Sequence, residues 1–450
     1  MRWAAPPRPQ AYPSRAAGLG RNSHFGDAGD PDSAVRRVAT PEPPAGYDPL
    51  AMVPVRHARS APRHGLTRPL GRWLARRLTS AFAGLALATL LLPGAGPATV
   101  RAANPVIRSQ IVQAGLQVPW DVDFTPDGRM LVSERSGTLR IYANGEPGAA
   151  LLATNRVSYV RSVGEAGLMG IAVDRSFAVN HRIYVCASRD DYGRWLNQVL
   201  RYRIDAWNRL IFEKAVIRLG AAAAPNHDGC AVEMFSDGMV WVTIGDAGVA
   251  ARAQDPRSLN GKVLRVTPDG GVPANNPIMP GTTTPSLVFS MGHRNPQGIA
   301  TQPGTGAVYA VEHGPERDDE VNRIYPGANY GWPCYTGTGI RNSSYTGRCG
   351  PSTAYRNPAW ASGAVTWATS GGTFAAGANW GSFSGQLFVS CLKESDVRRF
   401  QLAGTTLAYR QTLFDGTWGR LRAMTRGPRN ALYVTTGNGT GDRVIRITAG

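Results

Sequence analysis

One short phrase returns six times between residue 129 and the C-terminus: a strand-like apolar run, a turn, then a second run carrying an arginine. The leading runs are RMLVSER from Arg129, RIYVCAS from Arg182, MVWVTIG from Met239, AVYAVEH from Ala307, QLFVSCL from Gln386 and ALYVTTG from Ala431. Their followers, LRIY, LRYRI, LRVT, NRIY, RRFQ and IRIT, carry Arg140, Arg201, Arg265, Arg323, Arg399 and Arg446 at intervals of 61, 64, 58, 76 and 47 residues. Units of this size in this number mark an array in which each copy buries its faces against its neighbours. Each unit also opens with a further strand, as in WDVDFTPDG at Trp120, LMGIAVDRSF at Leu168, CAVEMFSDG at Cys230 and RAMTRGPRN at Arg422. Three strands joined by Asp-Gly or Pro-Gly turns, with a fourth from the outer edge, predict an antiparallel blade. The expectation is an all-β chain over 104–450, a six-bladed β-propeller of four-stranded antiparallel blades. VIRSQIVQAGLQ, ahead of the first blade, is expected to supply the outer strand of the last and close the ring. Two packed β-sandwiches are the alternative, but they require no six copies of one phrase.

Composition agrees, since 53 glycines and 33 prolines in 450 residues favour turns over long helices. The formal charge of +18 first suggests nucleic acid. However, residues 1–103 hold 14 arginines against 5 acids, half of the excess, and the whole chain has only three lysines, Lys214, Lys262 and Lys393. The basicity is therefore not one binding face, and no nucleic-acid partner is expected. Residues 1–65 lack apolar periodicity and read as disordered, or as untranslated if synthesis starts near Met52. Residues 66–103 carry Arg68, Arg72, Arg76 and Arg77, an apolar run from Ala81 to Leu92, and small residues at Ala102 and Ala103. About 12 apolar residues fall short of the ~20 a bilayer span needs, so this segment reads as a secretory signal rather than a core helix. The mature chain is then secreted or held in the cell envelope, periplasmic or extracellular, with no transmembrane span left. In an oxidising compartment Cys334 and Cys349, which bracket the loop CYTGTGIRNSSYTGRC, are expected to pair. Cys186, Cys230 and Cys391 lie in strands, and one of the five cysteines must stay free.

Register then selects candidate site residues. Just before the opening strands stand VPW (118–120), GEAG (164–167), NHDG (226–229), GHRNPQG (292–298), TSGG (369–372) and GRLR (419–422). In a propeller the opening strand is innermost, so Glu165, His227, Arg294, Asn295, Arg420 and Arg422 are expected at one mouth of the axial channel. Repeated buried charge needs a partner, and guanidinium forks suit planar carboxylates, so an anionic ligand is implied. Lys393 is expected near the same rim. His227, with Asp246 19 residues on at a strand end, fits a base held in one tautomer by a carboxylate. The turn EHGPERDDEVN gathers Glu312, Glu316, Asp318, Asp319 and Glu320 around Gly314 and Pro315, and such hard oxygen donors suit calcium.

Several phrases are long enough to carry a resemblance: GEAGLMGIAVDRSF, VTIGDAG with AQDPRSLNGKVLRVTPDGGVPANNP, GHRNPQGIA, EHGPERDDEVNRIYPGANYGWP and GRLRAM. Over about 105–450 the chain resembles the soluble pyrroloquinoline quinone (PQQ)-dependent sugar dehydrogenases of glucose and aldose sugar (sorbosone) type, six-bladed propellers of exported bacterial proteins. The resemblance implies oxidation of the anomeric carbon of an aldose to the lactone. His227 would be the general base, with Asp246 orienting it. Arg294 and Asn295 would lie beside the quinone oxygens, and Lys393, Arg420 and Arg422 would grip the cofactor carboxylates. The carbonyls of Gly314 and Pro315 would bind calcium near Asp319, with Glu165 at the rim. Electrons would pass to an external acceptor, a quinone, dye or cytochrome, from a monomer or homodimer. The chain departs from the pattern at Cys230 and Ala231, which implies an altered wall beside the base. It also departs in the compact stretch SRDDYGRWLNQ, which favours a permissive site. A calcium-dependent lactonase would need a ring of acids and amides at the metal, and a non-catalytic glycan- or protein-binding propeller would not need His227 or the cationic clamp.

Overall fold

The computed structural model describes residues 104–450, and the expected extension (1–65) and secretory signal (66–103) lie outside the described residues. Six four-stranded antiparallel sheets form the blades, together with one small two-stranded sheet. The innermost strands are Pro119–Phe124, Leu168–Val173, Gly229–Met234, Asn295–Thr301, Thr369–Phe374 and Leu421–Arg426, for blades one to six in that order. Ile107–Leu116 pairs with Asp442–Ala449 on the outside of blade six, so the two ends of the propeller share one sheet, as expected. In the described residues the helical segments are all six residues or shorter, and no helix is long and apolar enough to cross a membrane.

The repeated arginine has a structural meaning. Arg201 lies directly across from Tyr184, Arg265 from Trp241, Arg323 from Tyr309, Arg399 from Phe388 and Arg446 from Tyr433, while Arg140 faces Val132. Each pair joins the second and third strands of its blade. The aromatic residues are buried in the inter-blade cores, and the arginines cap them and reach acids nearby: Arg140 to Glu134, Arg201 to Glu213 and Asp269, Arg265 to Asp237. The periodic phrase is thus a cross-strand packing unit.

A second device repeats at the axis. Every pairing of an innermost strand with its neighbour has a register shift near its start: between Pro119 and Asp121, Leu168 and Ile171, Gly229 and Val232, Pro296 and Gly298, Thr369 and Gly372, and Leu421 and Met424. Such bulges bend a strand and re-aim the side chains beside them. They also bring backbone against backbone. A Cβ at Gly170 would sit 2.5 Å from the Cys230 carbonyl oxygen, one at Gly298 2.5 Å from that of Ser370, and one at Gly371 2.4 Å from the Met424 nitrogen. The axis is therefore nearly closed, with a cavity of about 30 Å³ between the inner strands.

Two disulfides staple the ring. Cys334–Cys349 closes the expected loop, and Cys186–Cys230 ties blade two to the first strand of blade three, leaving Cys391 free and buried. At the end of the axis away from the strand starts, a cavity of about 530 Å³ is lined by Asp123, Glu233, Thr301, Thr373, Thr425 and Arg426 among others. Burial pushes the carboxyl of Asp123, which lines this cavity, up to about 6, and that of Asp121, beside the small axial cavity, up to about 7, against the pull of backbone N–H donors.

Two outcomes follow from this packing. Gly371→Val is expected to destabilise the propeller by about 2 kcal/mol or more in chemical denaturation, because its side chain has no space against blade six; a neutral result would contradict the close approach. Asp121 holds its proton in the folded state over a range where the unfolded chain has lost it. Its contribution to stability is therefore present below the unfolded value near 3.8 and is lost as pH rises towards 7. The Tm of the wild type should accordingly fall relative to that of Asp121→Asn between about pH 4 and pH 7, and a constant difference would refute the raised value.

Candidate active site

The loops before the innermost strands bring the expected residues to one rim through direct bonds between blades. Glu165, from the loop preceding the first strand of blade two, accepts from the His227 backbone N–H at 2.9 Å and from Asn295 Nδ2 at 3.1 Å. Asn295 Oδ1 in turn accepts from the Gly229 N–H at 3.1 Å, and the Asp246 N–H donates to the Arg294 carbonyl at 2.8 Å. Blades two, three and four are thereby locked around His227. That residue sits in the left-handed region at φ 61°, and its carbonyl accepts from the Ala247 N–H at 3.0 Å. Gly245 is required beneath it, since a Cβ there would lie 2.0 Å from the His227 oxygen.

His227 Nδ1 is 2.8 Å from Asp246 Oδ1. Asp246 is 1% exposed, and it also accepts from the Gly248 N–H at 2.8 Å and, through Oδ2, from Trp332 Nε1 at 2.8 Å. With the carboxylate on Nδ1, that nitrogen is the donor and Nε2 is left as the basic atom towards the rim.

Arg294 and Arg422 supply the positive charge. Arg294 Nη1 donates to the Gly314 carbonyl at 2.8 Å, while its Nε is buried with no partner. Arg422 is 7% exposed, stacks 3.7 Å above the Trp120 ring, and keeps both Nε and Nη1 buried and unpartnered. Burial pushes its guanidinium down to about 10 and also lowers that of Arg294 from its usual value. Burial opposes ionisation of Glu165 as well, but His313, the His227 N–H and Arg422 outweigh it and hold the carboxyl below its usual value. Arg420 is exposed and reaches the Leu392 carbonyl at 3.5 Å, next to the exposed Lys393.

The acidic turn divides its labour. Asp319 is fully buried and accepts from the Gly314 N–H at 2.9 Å, from Thr366 Oγ1 at 2.9 and 3.1 Å, and from the backbone of Trp367 and Ala368 at 2.5 and 2.8 Å. Glu312 binds His293 and Asn322, Asp318 binds Thr336 and Arg317, and Glu320 binds Asn322 and the Gly337 N–H. Among the described residues no three His, Cys, Asp or Glu side chains converge as a ligand set. Any cation at this turn therefore depends on carbonyl oxygens such as those of Gly314 and Pro315 and on what the bound ligand brings.

Three participants escaped the sequence reading. Trp332 lies in NYGWP, where nothing in spacing or register distinguishes it. Trp120 occupies the register position in VPW, which could have revealed it. His313 immediately precedes Gly314, and its Nε2 is buried without a partner. Burial lowers its affinity for a proton. Two expectations are modified: Cys230 is consumed by its disulfide to Cys186, and SRDDYGRWLNQ is an extended hairpin, Arg182–Asp191 against Arg194–Ile204, turned by Tyr192 and Gly193. A cavity of about 910 Å³ beside Arg323, Tyr325 and Arg356 contains none of the rim residues. The buried, unpartnered guanidinium nitrogens of Arg294 and Arg422 lie at the rim and not beside that cavity.

Comparison with known proteins places the whole propeller among described relatives. The chain is similar to the aldose sugar dehydrogenase YliI of Escherichia coli, 29% identical over 350 residues, covering 76% of this chain and 93% of that protein. An uncharacterized Synechocystis protein, slr1608, is 30% identical over 373 residues, covering 77% of this chain and 88% of its own length. Among solved structures, the PQQ-bound aldose sugar dehydrogenase of Streptomyces coelicolor superposes with a TM-score of 0.64 at 28% identity, over 77% of this chain and all of that one. The apo-form of the soluble E. coli enzyme gives 0.69 at 27% identity, over 77% of this chain and all of that one. Residues 116–446 match the glucose/sorbosone dehydrogenase family, and the chain belongs to it.

Proposed function

We propose that the protein is a PQQ-dependent aldose sugar dehydrogenase that oxidises the anomeric carbon to the lactone. The observation that carries this reading is the pair of buried guanidinium groups with unpartnered nitrogens, Arg294 and Arg422, at the rim that also holds the His227–Asp246 pair. Buried donors without partners are costly, and a planar ligand with several carboxylates satisfies them bidentately. The donor set therefore fits the quinone, with Arg422, Arg420 and Lys393 gripping its carboxylates and Arg294, Asn295 and His313 along its reactive edge. The Pro315 carbonyl, at the turn held by Asp319, suits calcium, and the Gly314 carbonyl would join it once Arg294 Nη1, which donates to it at 2.8 Å, turns to the ligand. When bound, the metal-polarised quinone supplies the acceptor for hydride from the sugar carbon.

The chain's own part is proton handling and positioning. His227 Nε2 takes the proton of the anomeric hydroxyl as the C–H bond breaks, and the buried Asp246 stabilises the imidazolium that forms. Glu165 fixes the His227 backbone, so the base approaches from one direction. Near-closure of the axis beneath Trp120 keeps bulk water from reaching the cations from below. Reoxidation of the bound quinone would require an external electron acceptor. Export to an oxidising compartment is supported by two disulfides in the described residues.

Reconstitution tests the reading. Adding calcium and PQQ to the purified apo-protein should confer dye-linked oxidation of aldoses, and failure to bind the quinone at micromolar concentration would end the proposal. His227→Ala should lower kcat by about 10³-fold or more while leaving the quinone Kd nearly unchanged. Arg422→Ala should raise that Kd by about 10- to 100-fold, because a buried charge-assisted contact is removed, and equal affinity in the two proteins would exclude Arg422 from the clamp.

A further inference from the structure

We infer that Trp332 is a positioning residue for the base, acting through Asp246; the inference deepens the dehydrogenase reading and rests on it for its catalytic consequence. Asp246 Oδ1 is occupied by His227 Nδ1 and the Gly248 N–H, and the donor on Oδ2 is the Trp332 indole N–H, at 2.8 Å. Because Asp246 is almost wholly buried, the indole decides whether the carboxylate can rotate about its last torsion. With both oxygens engaged it cannot, and Oδ1 stays on Nδ1.

Trp332 is itself held at its backbone and at its ring. Its backbone N–H donates to the Gly292 carbonyl at 3.0 Å, and its carbonyl accepts from Gln254 Nε2 at 2.6 Å. Gln254 is fixed in turn by a reciprocal amide pair with Asn329, at 3.0 and 2.8 Å. The Arg294 guanidinium stands 5.4 Å from the centre of the indole ring. One side chain therefore meets the acid of the base pair with its edge and Arg294, assigned to the quinone's reactive edge, with its face. Proton acceptor and Arg294 share a single rigid support, and partners of this kind set the orientation of the groups they hold.

Trp332→Phe keeps the ring and removes the N–H. In the quinone-loaded enzyme it should lower kcat about 10- to 100-fold while sugar KM and quinone Kd stay within about 3-fold. Because the effect runs through Asp246, the Asp246→Asn/Trp332→Phe double variant should be no slower than Asp246→Asn alone. Multiplied losses, or an unchanged kcat in the single variant, would overturn the inference.

A second measurement needs neither activity nor cofactor. In the apo-protein the Trp332 indole proton should resonate downfield in NMR spectra and move to the free-indole position in Asp246→Ala. A resonance that does not respond to Asp246 overturns the inference even if Trp332→Phe fails to fold. If the resonance responds but the loaded wild type oxidises no sugar, the hydrogen bond stands and the dehydrogenase reading is what fails.

Discussion

Everything at the rim depends on the close approach of six strands at the axis. Backbone meets backbone at Gly170, Gly298 and Gly371, where a single added carbon would collide with the next blade. This contact leaves the inner strands no freedom to splay, so their starting loops are forced onto one small ring. Each strand is also bulged near that end, which turns residues such as Arg422 to where an unbroken ladder would not have directed them. A loosely packed axis could carry the same side chains without making a site of them.

The consequence is electrostatic. Arg294 and Arg422 are buried with nitrogens that no protein group satisfies, while Glu165 and Asp246 nearby are fully engaged by donors. The rim therefore concentrates buried positive charge beside a hydrogen-bonded imidazole. The disulfide from Cys186 to Cys230 lies three residues after His227 and anchors the strand that follows it. The indole of Trp332 links the imidazole's carboxylate partner to Arg294.

Much of the architecture was legible because the repeat is physical. An arginine across from a buried aromatic residue is a contact that recurs in sequence at the spacing of the blade, so counting the phrase counts the sheets. Strand-start register likewise gathers Glu165, His227, Arg294, Asn295 and Arg422, because alternate faces and short turns leave little choice of which residue sits at a strand's beginning. At the acidic turn, composition could not tell which carboxylates serve the loop itself. Asp319 is wholly occupied in holding Gly314 and the 366–368 segment, and Glu312, Asp318 and Glu320 bind other partners.

From residue order alone come the propeller, its six units, its closing strand, the pairing of Cys334 with Cys349 and most members of the rim, since all of these follow from local periodicity and spacing. Trp332 bonding Asp246 across 86 positions, the Cys186–Cys230 link, the bulges and the orphaned guanidinium nitrogens emerge only in the folded ring. They are relations between segments distant along the chain, and their existence depends on how tightly six sheets can approach a common axis.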